Sequence, residues 1–342
     1  KHRKPVFEKL SVIAVAFVLA LGLAAGPAAA AKVMIKIGHP LQPKSGLQKW
    51  GEFFKEGIEK RTDVDVGVRI YPASQLGAIP RMIEGAQLGT IEMITIPPGF
   101  FTGVDQRYSV LAAPALFDSL RHGHDVLHDP EFKKAFWSIG DAKGLKMVSM
   151  SCDAPTDYAT VTPIRTLADF KGRKLRVFGS KFEIEALKRL GATGVPMPLS
   201  EVIPSIQQKV IDGNKAAIVV FVPFRYQTVA KYVFVPRESL ICINRMVSRK
   251  WFDKLPAGVQ TAIMEEAEKA DAKIIGFSEK LVDSFYKIWT KTGGVLTELS
   301  AEEQKELMRR LEGVAPAVLA GQPDVLEVYN IAKKVAERLR AK

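Results

Sequence analysis

Short apolar runs alternate with longer stretches in which apolar positions recur every three or four residues. Val33 to Ile37 reads as a strand, Ser45 to Lys60 as a helix, and Val64 to Ile70 as a strand. Gly77 to Leu88 then reads as a helix and Ile91 to Ile96 as a strand. Such alternation predicts an α/β protein with largely parallel pairing. Ligands of open α/β sheets sit beyond the carboxyl ends of strands. The loops Gly38-His39-Pro40 and Pro97 to Phe101 are therefore cleft candidates, with His39 and Phe100 as candidate contacts.

A second set of elements begins near Asp153. It holds a strand ending at Arg176, helices from Lys181 to Leu190 and Leu199 to Lys209, and an apolar run from Ala216 to Phe221 that reads as a strand. The chain is expected to return to the first set around Ile241. From Ala257 to about Thr292, Ile263, Ala267, Ala270, Ile274, Phe277, Leu281, Phe285 and Ile288 form one helical stripe. A helix of that length runs ~50 Å, longer than one lobe of this size, so it should bridge two domains. The expected division is 32–153 plus about 241–280 for lobe I, and 154–240 plus about 281–342 for lobe II. Final helices at roughly 300–311 and 323–340 are expected on the second lobe.

The first 31 residues read as a cleaved secretory signal rather than as fold. Lys1, Arg3, Lys4 and Lys9 precede an apolar run from Leu10 to Leu23, and Pro27-Ala-Ala-Ala30-Ala31 supplies small residues for cleavage. A bilayer span needs ~20 apolar residues, more than this run offers. The mature chain is therefore expected outside the cytoplasm, in the periplasm.

The formal net charge is +12, and removing the leader still leaves a basic protein. Nucleic-acid binding is not the expected consequence, because basic residues are scattered among acids. Glu265-Glu266-Ala-Glu268-Lys269-Ala-Asp271-Ala-Lys273, for example, reads as a solvated helix face. A field that gathers anions is the simpler outcome. Cys152 and Cys242 could bond in an oxidising compartment, but two cysteines do not make a disulfide framework. No internal repeat is visible.

The chemistry centres on Leu167-Ala-Asp-Phe-Lys-Gly-Arg-Lys-Leu-Arg176-Val, followed by Leu190-Gly-Ala192, Pro196-Met-Pro-Leu-Ser-Glu201-Val and Val210-Ile-Asp212-Gly213. Residue type alone makes Arg176 a surface arginine. It also ends an alternating strand that empties into a Gly-Ser turn, where a permanently charged planar fork can face a cleft and grip both oxygens of a carboxylate. Phe178 repeats the same strand face, and Phe221 and Phe224 follow the next apolar run. Together they are candidates for an apolar wall, with the core as the alternative.

The order of these pieces resembles the solute-binding proteins of TRAP transporters (tripartite ATP-independent periplasmic transporters), DctP type. Tyr71-Pro72-Ala-Ser-Gln75-Leu76-Gly77, Pro114-Ala-Leu-Phe117 and Val247-Ser-Arg-Lys-Trp251-Phe-Asp-Lys-Leu-Pro256 carry the resemblance along the rest of the chain. It implies a periplasmic binding protein-like fold, with two α/β lobes around a cleft and a long bridging helix. It also implies that Arg176 binds the substrate carboxylate, that the lobes close about a hinge, and that the partners are the membrane subunits of a TRAP permease.

Two departures from the family pattern narrow the ligand. The second arginine of sialic-acid binders is here Thr156, which argues against sialic acid. The D-G-x-E-N-P segment is here Asp212-Gly213-Asn214-Lys215-Ala216-Ala217, so Ala216 replaces a polar contact that Asn214 or Tyr158 could supply, with Gln75 and His39 donating from the first lobe. These features favour a monocarboxylate with an apolar or aromatic body over a short dicarboxylate or a sugar acid.

Other chemistry is weaker. His124 and His128 stand four residues apart on a helix, a spacing metals use, but neither a glutamate base nor a third ligand accompanies them, so no metal or cofactor is expected. An exported α/β hydrolase acting on a small carboxylate is the alternative class. The chain has no G-x-S-x-G elbow and only five histidines, three of them between Arg121 and Asp129. A monomeric binding protein without catalytic residues is the expected reading.

Overall fold

The alternation of strands and helices folds into two mixed sheets joined by two strand crossings and a bridging helix. The computed structural model describes residues 32–340. The expected leader lies outside the described residues. In chain order the first part runs β1 (Val33–Gly38), α1 (Gly46–Glu59), β2 (Val66–Tyr71), α2 (Ile79–Leu88), β3 (Met93–Ile96), α3 (Leu120–His128), α4 (Pro130–Phe136) and β4 (Leu145–Pro155). The second part runs β5 (Asp157–Thr160), β6 (Lys174–Val177), α5 (Lys181–Arg189), β7 (Thr193–Pro196), α6 (Leu199–Gln207), β8 (Gly213–Ala216), α7 (Ile218–Phe221) and β9 (Tyr232–Val235). The chain then returns through β10 (Leu240–Ser248), α8 (Arg249–Phe252) and α9 (Ala257–Lys291), and ends with β11 (Val295–Glu298), α10 (Ala301–Leu311), α11 (Val314–Leu319) and α12 (Pro323–Arg340).

The first sheet has the order β2-β1-β3-β10-β4 and the second β11-β9-β5-β8-β6-β7. Pairing is mixed: β10 runs antiparallel to β3 and β4, and β5 antiparallel to β8 and β9. β6 is parallel to both of its neighbours. The chain crosses between sheets just after Pro155 and again just before Leu240, and these two residues face each other in the β4–β10 register. Close to that crossing Cys152 and Cys242, opposite one another on the two strands, form a disulfide. The bond fastens together segments 90 residues apart in sequence.

The helix α9 packs on α1 and β4 of the first lobe and on α7 and β11 of the second, so it does bridge both. Its buried face is not the predicted stripe throughout. Ile263, Ala267, Ala270 and Ile274 are buried, but beyond them the buried positions are Ile275, Ser278, Val282 and Trp289. Phe277, Leu281 and Phe285 are only half-buried and line an open groove together with Val222 and Pro223, and Ile288 is exposed. The charged run 265–273 is not a purely solvated face either. Asp271 is fully buried and Glu266 nearly so, because they share the helix face of Ala267, Ala270 and Ile274.

Two further expectations fail. The run Ala216 to Phe221 leaves the sheet after Ala216 and turns into α7, because the Asp157 carboxylate accepts the Ile218 N–H at 2.9 Å and caps the new turn. The C-terminal helices do not share one lobe. α11 packs on α5, whereas α12 buries Val325, Val328, Ala332 and Val335 while packing against α3 and α4 of the first.

Asp157 also accepts the Tyr286 hydroxyl at 2.9 and 3.1 Å, tying β5 to α9. Burial pushes its carboxyl up to about 7, against the opposing pull of Tyr286 and the Ile218 N–H. A folded-state pKa above the unfolded one means the folded protein holds an extra proton between the two values. Asp157's contribution to stability is thus fully present below about pH 4 and is lost as pH rises to about 7. Denaturant melts should show stability falling across that window, and Asp157→Asn should remove part of the fall, on the order of 2 kcal/mol. An unchanged pH profile in the variant would contradict this assignment.

Candidate ligand-binding cleft

The strand β6 lies inside the second sheet between β7 and β8, and Arg176 on it is fully buried. Its Nε donates to the Met197 carbonyl at 2.9 Å and its Nη1 to the Asn214 side-chain oxygen at 3.3 Å. Asn214 is held in turn by donating to the Tyr226 hydroxyl at 3.1 Å. The Nη2 has no hydrogen-bond partner. Burial pulls the guanidinium down to about 10, so it stays charged at neutral pH. A buried cation held by neutral acceptors alone is costly, and an incoming carboxylate would relieve that cost.

Two rings flank the guanidinium. Its central carbon lies 4.7 Å from the Phe178 ring centre and 5.5 Å from that of Phe100, and the rings meet edge-on at 5.3 Å. Both rings line a narrow cavity of about 40 Å³ with Leu41, Leu47, Leu199, Ala216, Val219 and Ile241. Asp153 is the single charged residue in its wall. The first-lobe turn approaches so closely that a Cβ on Gly99 would stand 2.8 Å from the Phe178 Cβ, so the lobes are closed on each other here.

On another side of Phe178 a smaller space of about 20 Å³ is bounded by Thr156, Glu183, Lys215 and Ser239. Lys215 pairs with Glu238 at 2.9 Å, both buried. Burial works against the lysine charge, but Glu238 and Glu183 together hold it above the usual range. Burial likewise pushes the Glu183 carboxyl up, while Lys215 and Arg176 oppose it.

The structure therefore groups Arg176, Phe178, Phe100, Asn214 and Ala216, and separates the other candidates from them. Tyr158 is fully buried in the core between Phe170 and Phe234 and donates to Glu238 at 2.7 Å. Phe221 is core as well, against Tyr226 and Trp289, because the run that holds it is helical rather than extended. Gln75 is exposed on the turn after β2 and lines neither cavity. His39 is buried next to the cavity-lining Pro40 and meets Gln48 at 3.1 Å. Burial pulls its ring down to about 4, so it is neutral. His128 is engaged by Asp271 and by the His124 carbonyl. No group of three or more metal-binding side chains is found among the described residues. Sequence reasoning missed Asp153, Glu183, Lys215 and Tyr226. Only Lys215 left a signal, as a lysine where the resembled motif has glutamate.

Residues 37–321 match the model of the DctP family, bacterial extracellular solute-binding protein, family 7. The chain belongs to this family. It is 29% identical over 284 residues to the C4-dicarboxylate-binding periplasmic protein DctP of Rhodobacter capsulatus, covering 81% of this chain and 84% of that protein. It is 28% identical over 218 residues to the 2,3-diketo-L-gulonate-binding periplasmic protein YiaO of Escherichia coli, covering 64% of this chain and 66% of that one. A TRAP periplasmic solute-binding protein from Desulfovibrio salexigens with bound orotic acid shares the fold, with TM-score 0.85 and 24% identity over 90% of this chain and all of that one. The family consists of extracytoplasmic binding proteins that take small acids and work with TRAP permease subunits, so the hydrolase alternative has no support. Among the described residues no helix is long and apolar enough to cross a membrane.

Proposed function

We propose that this chain is the exported, monomeric receptor of a TRAP transporter for a monocarboxylate with an apolar or aromatic body. The leader 1–31 is removed on export, and Arg176 takes the carboxylate. The observation that carries the reading is the buried Arg176, with Nη2 free and no carboxylate in hydrogen-bond reach among the described residues, stacked on two phenylalanines that line a largely apolar cavity. Orotic acid, bound by the similar Desulfovibrio protein, also joins a carboxylate to a ring. A C4-dicarboxylate or 2,3-diketo-L-gulonate, the ligands named for the other two relatives, would need polar partners that Leu41, Ala216, Val219 and Ile241 do not supply.

The cavity of about 40 Å³ is too small for such a ligand, so the lobes must part at the β4–β5 and β9–β10 crossings to admit it and close again over it. Closure follows only if the ligand binds the closed form better than the open one.

A thermal-shift screen tests the ligand class. A ligand at 100 times its Kd adds about 2.7 kcal/mol of stability, which is several degrees of Tm for a chain of this size. Benzoate-type, phenyl-2-oxo and branched aliphatic acids should give such shifts, and succinate, malate and galactonate should not. Larger shifts with the latter group would overturn the preference. N-terminal sequencing of the secreted protein should find a start near Ala31.

A further inference from the structure

Most cations of this chain are interleaved with acids, but one end of the second sheet is an exception. The register of its ladders brings Val295 of β11, Tyr232 of β9, Thr160 of β5, Gly213 of β8 and the starts of β6 and β7, at Lys174 and Thr193, to that end. Arg176 and Phe178 lie toward the opposite end, so this rim faces away from the cleft.

Backbone bonds hold the loops of the rim together. The Val161 N–H donates to the Asp212 carbonyl at 3.0 Å, Gly172 to Gly191 at 2.8 Å, and Val295 to Lys231 at 2.8 Å. Arg173 adds bonds to the Thr162 and Pro163 carbonyls, each at 2.7 Å. These loops carry five exposed cations, Arg165, Lys171, Lys174, Lys209 and Lys231. None of the five forms an ion pair among the described residues. The acids on the same loops, Asp169 and Asp212, accept from the backbone N–H groups of Arg165, Thr166 and Lys174. An array of cations without counter-ions gathers anions.

Three valines stand among these cations. Val161 is 43% exposed, Val210 50% and Val295 42%, three of the seven large apolar side chains exposed among the described residues. Scattered singly, exposed apolar side chains need no explanation. Grouped on a basic rim, they make a surface that is both cationic and apolar.

The partner's chemistry follows from that mixture. Four of the five cations are lysines, whose compact charges on flexible stems lack the two-pronged grip with which arginine fixes a carboxylate. A lipid surface has mobile headgroups that adjust to any spacing of cations, and just beneath them an apolar layer that admits valines.

We propose that this rim docks on anionic phospholipid headgroups, with the lysines at headgroup level and the valines at the boundary with the acyl chains. Docking there leaves the cleft unobstructed. It concentrates the binding protein on the surface in which TRAP permease subunits lie.

Co-sedimentation with vesicles tests it, comparing phosphatidylcholine alone with a phosphatidylglycerol-rich mixture. The wild-type protein should bind the anionic vesicles and not the neutral ones, and binding should fall several-fold as salt rises from ~10 to ~150 mM. A lysine near an anionic surface is worth about fivefold in affinity, so the triple variant Lys171→Gln, Lys174→Gln, Lys209→Gln should bind ~100-fold more weakly. Val161→Ser with Val210→Ser should weaken binding as well. Replacing three exposed lysines outside the rim, Lys250, Lys254 and Lys280, by glutamine should leave binding within about twofold. Equal binding to neutral and anionic vesicles would overturn the inference, as would an equal loss in the two triple variants, which would make net charge the cause. Retention on immobilised polyglutamate without vesicle binding would overturn it in favour of an acidic protein partner. No acid ligand enters the test, so its outcome is independent of the role of Arg176.

Discussion

Arg176→Ala should reduce affinity for the best acid of the thermal-shift screen by ~30-fold or more, while the ligand-free protein still folds. Losing one partner of a buried, hydrogen-bonded charge pair costs on the order of 2–5 kcal/mol, and every factor of ten in affinity is about 1.4 kcal/mol. The ligand-free protein should lose much less, because the hydrogen-bond partners of Arg176 among the described residues are two neutral oxygens, the Met197 carbonyl and the Asn214 amide. Removing a buried cation that has no carboxylate in hydrogen-bond reach among the described residues offsets part of the packing it takes away. Arg176→Lys should recover only a fraction of the affinity, since a point charge reproduces neither the two-oxygen grip nor the stacking on Phe178 and Phe100. Asn214→Ala should fall between the two, because Asn214 orients Arg176 from the neighbouring strand. Near wild-type affinity in Arg176→Ala would remove the anchor and the proposed ligand class together.

The parts of this cleft legible in the sequence are those set by local pattern. Arg176 and Phe178 share a face by strand alternation, Phe100 follows the end of a strand, and the span of α9 shows in its three-and-four spacing. Local pattern does not say which face of a sheet meets the other lobe. Phe221 is a wall candidate on the same grounds as Phe178, and Tyr158 a candidate polar contact, yet both lie in the core of the second lobe. The missed residues depend on tertiary neighbours. Asp153 meets Arg245 only across the β4–β10 pairing, and no spacing along the chain could bring the two together. The Lys215–Glu238 pair likewise forms only because β8 and the segment before β10 are brought side by side.

Asp271 illustrates the same limit and carries the largest expected effect on stability. By its neighbours in sequence it belongs to a solvated charged face. In the fold it accepts hydrogen bonds from Trp50 Nε1 at 2.8 Å, Ser149 Oγ at 2.9 Å, the Met150 N–H at 3.0 Å and Arg245 Nη1 at 3.1 Å, and it meets His128 Nε2 at 3.2 Å. One carboxylate thereby joins α1, α3, β4, β10 and α9. Asp271→Ala would leave Arg245 buried with Asp153 at 3.6 Å as its one remaining counter-charge, and would orphan the Trp50 and Met150 N–H groups at once. Breaking one side of a buried pair costs about 3–5 kcal/mol, a large share of the 5–15 kcal/mol that holds a typical domain folded. Guanidinium melts should therefore show the Asp271→Ala midpoint falling steeply or the protein failing to accumulate. Asp271→Asn should be milder, since its amide oxygen keeps an acceptor while the charge is lost. A loss below about 1 kcal/mol in the alanine variant would mean that water reaches Arg245, and that the five contacts to Asp271 are not what clamps the bridging helix to the first lobe.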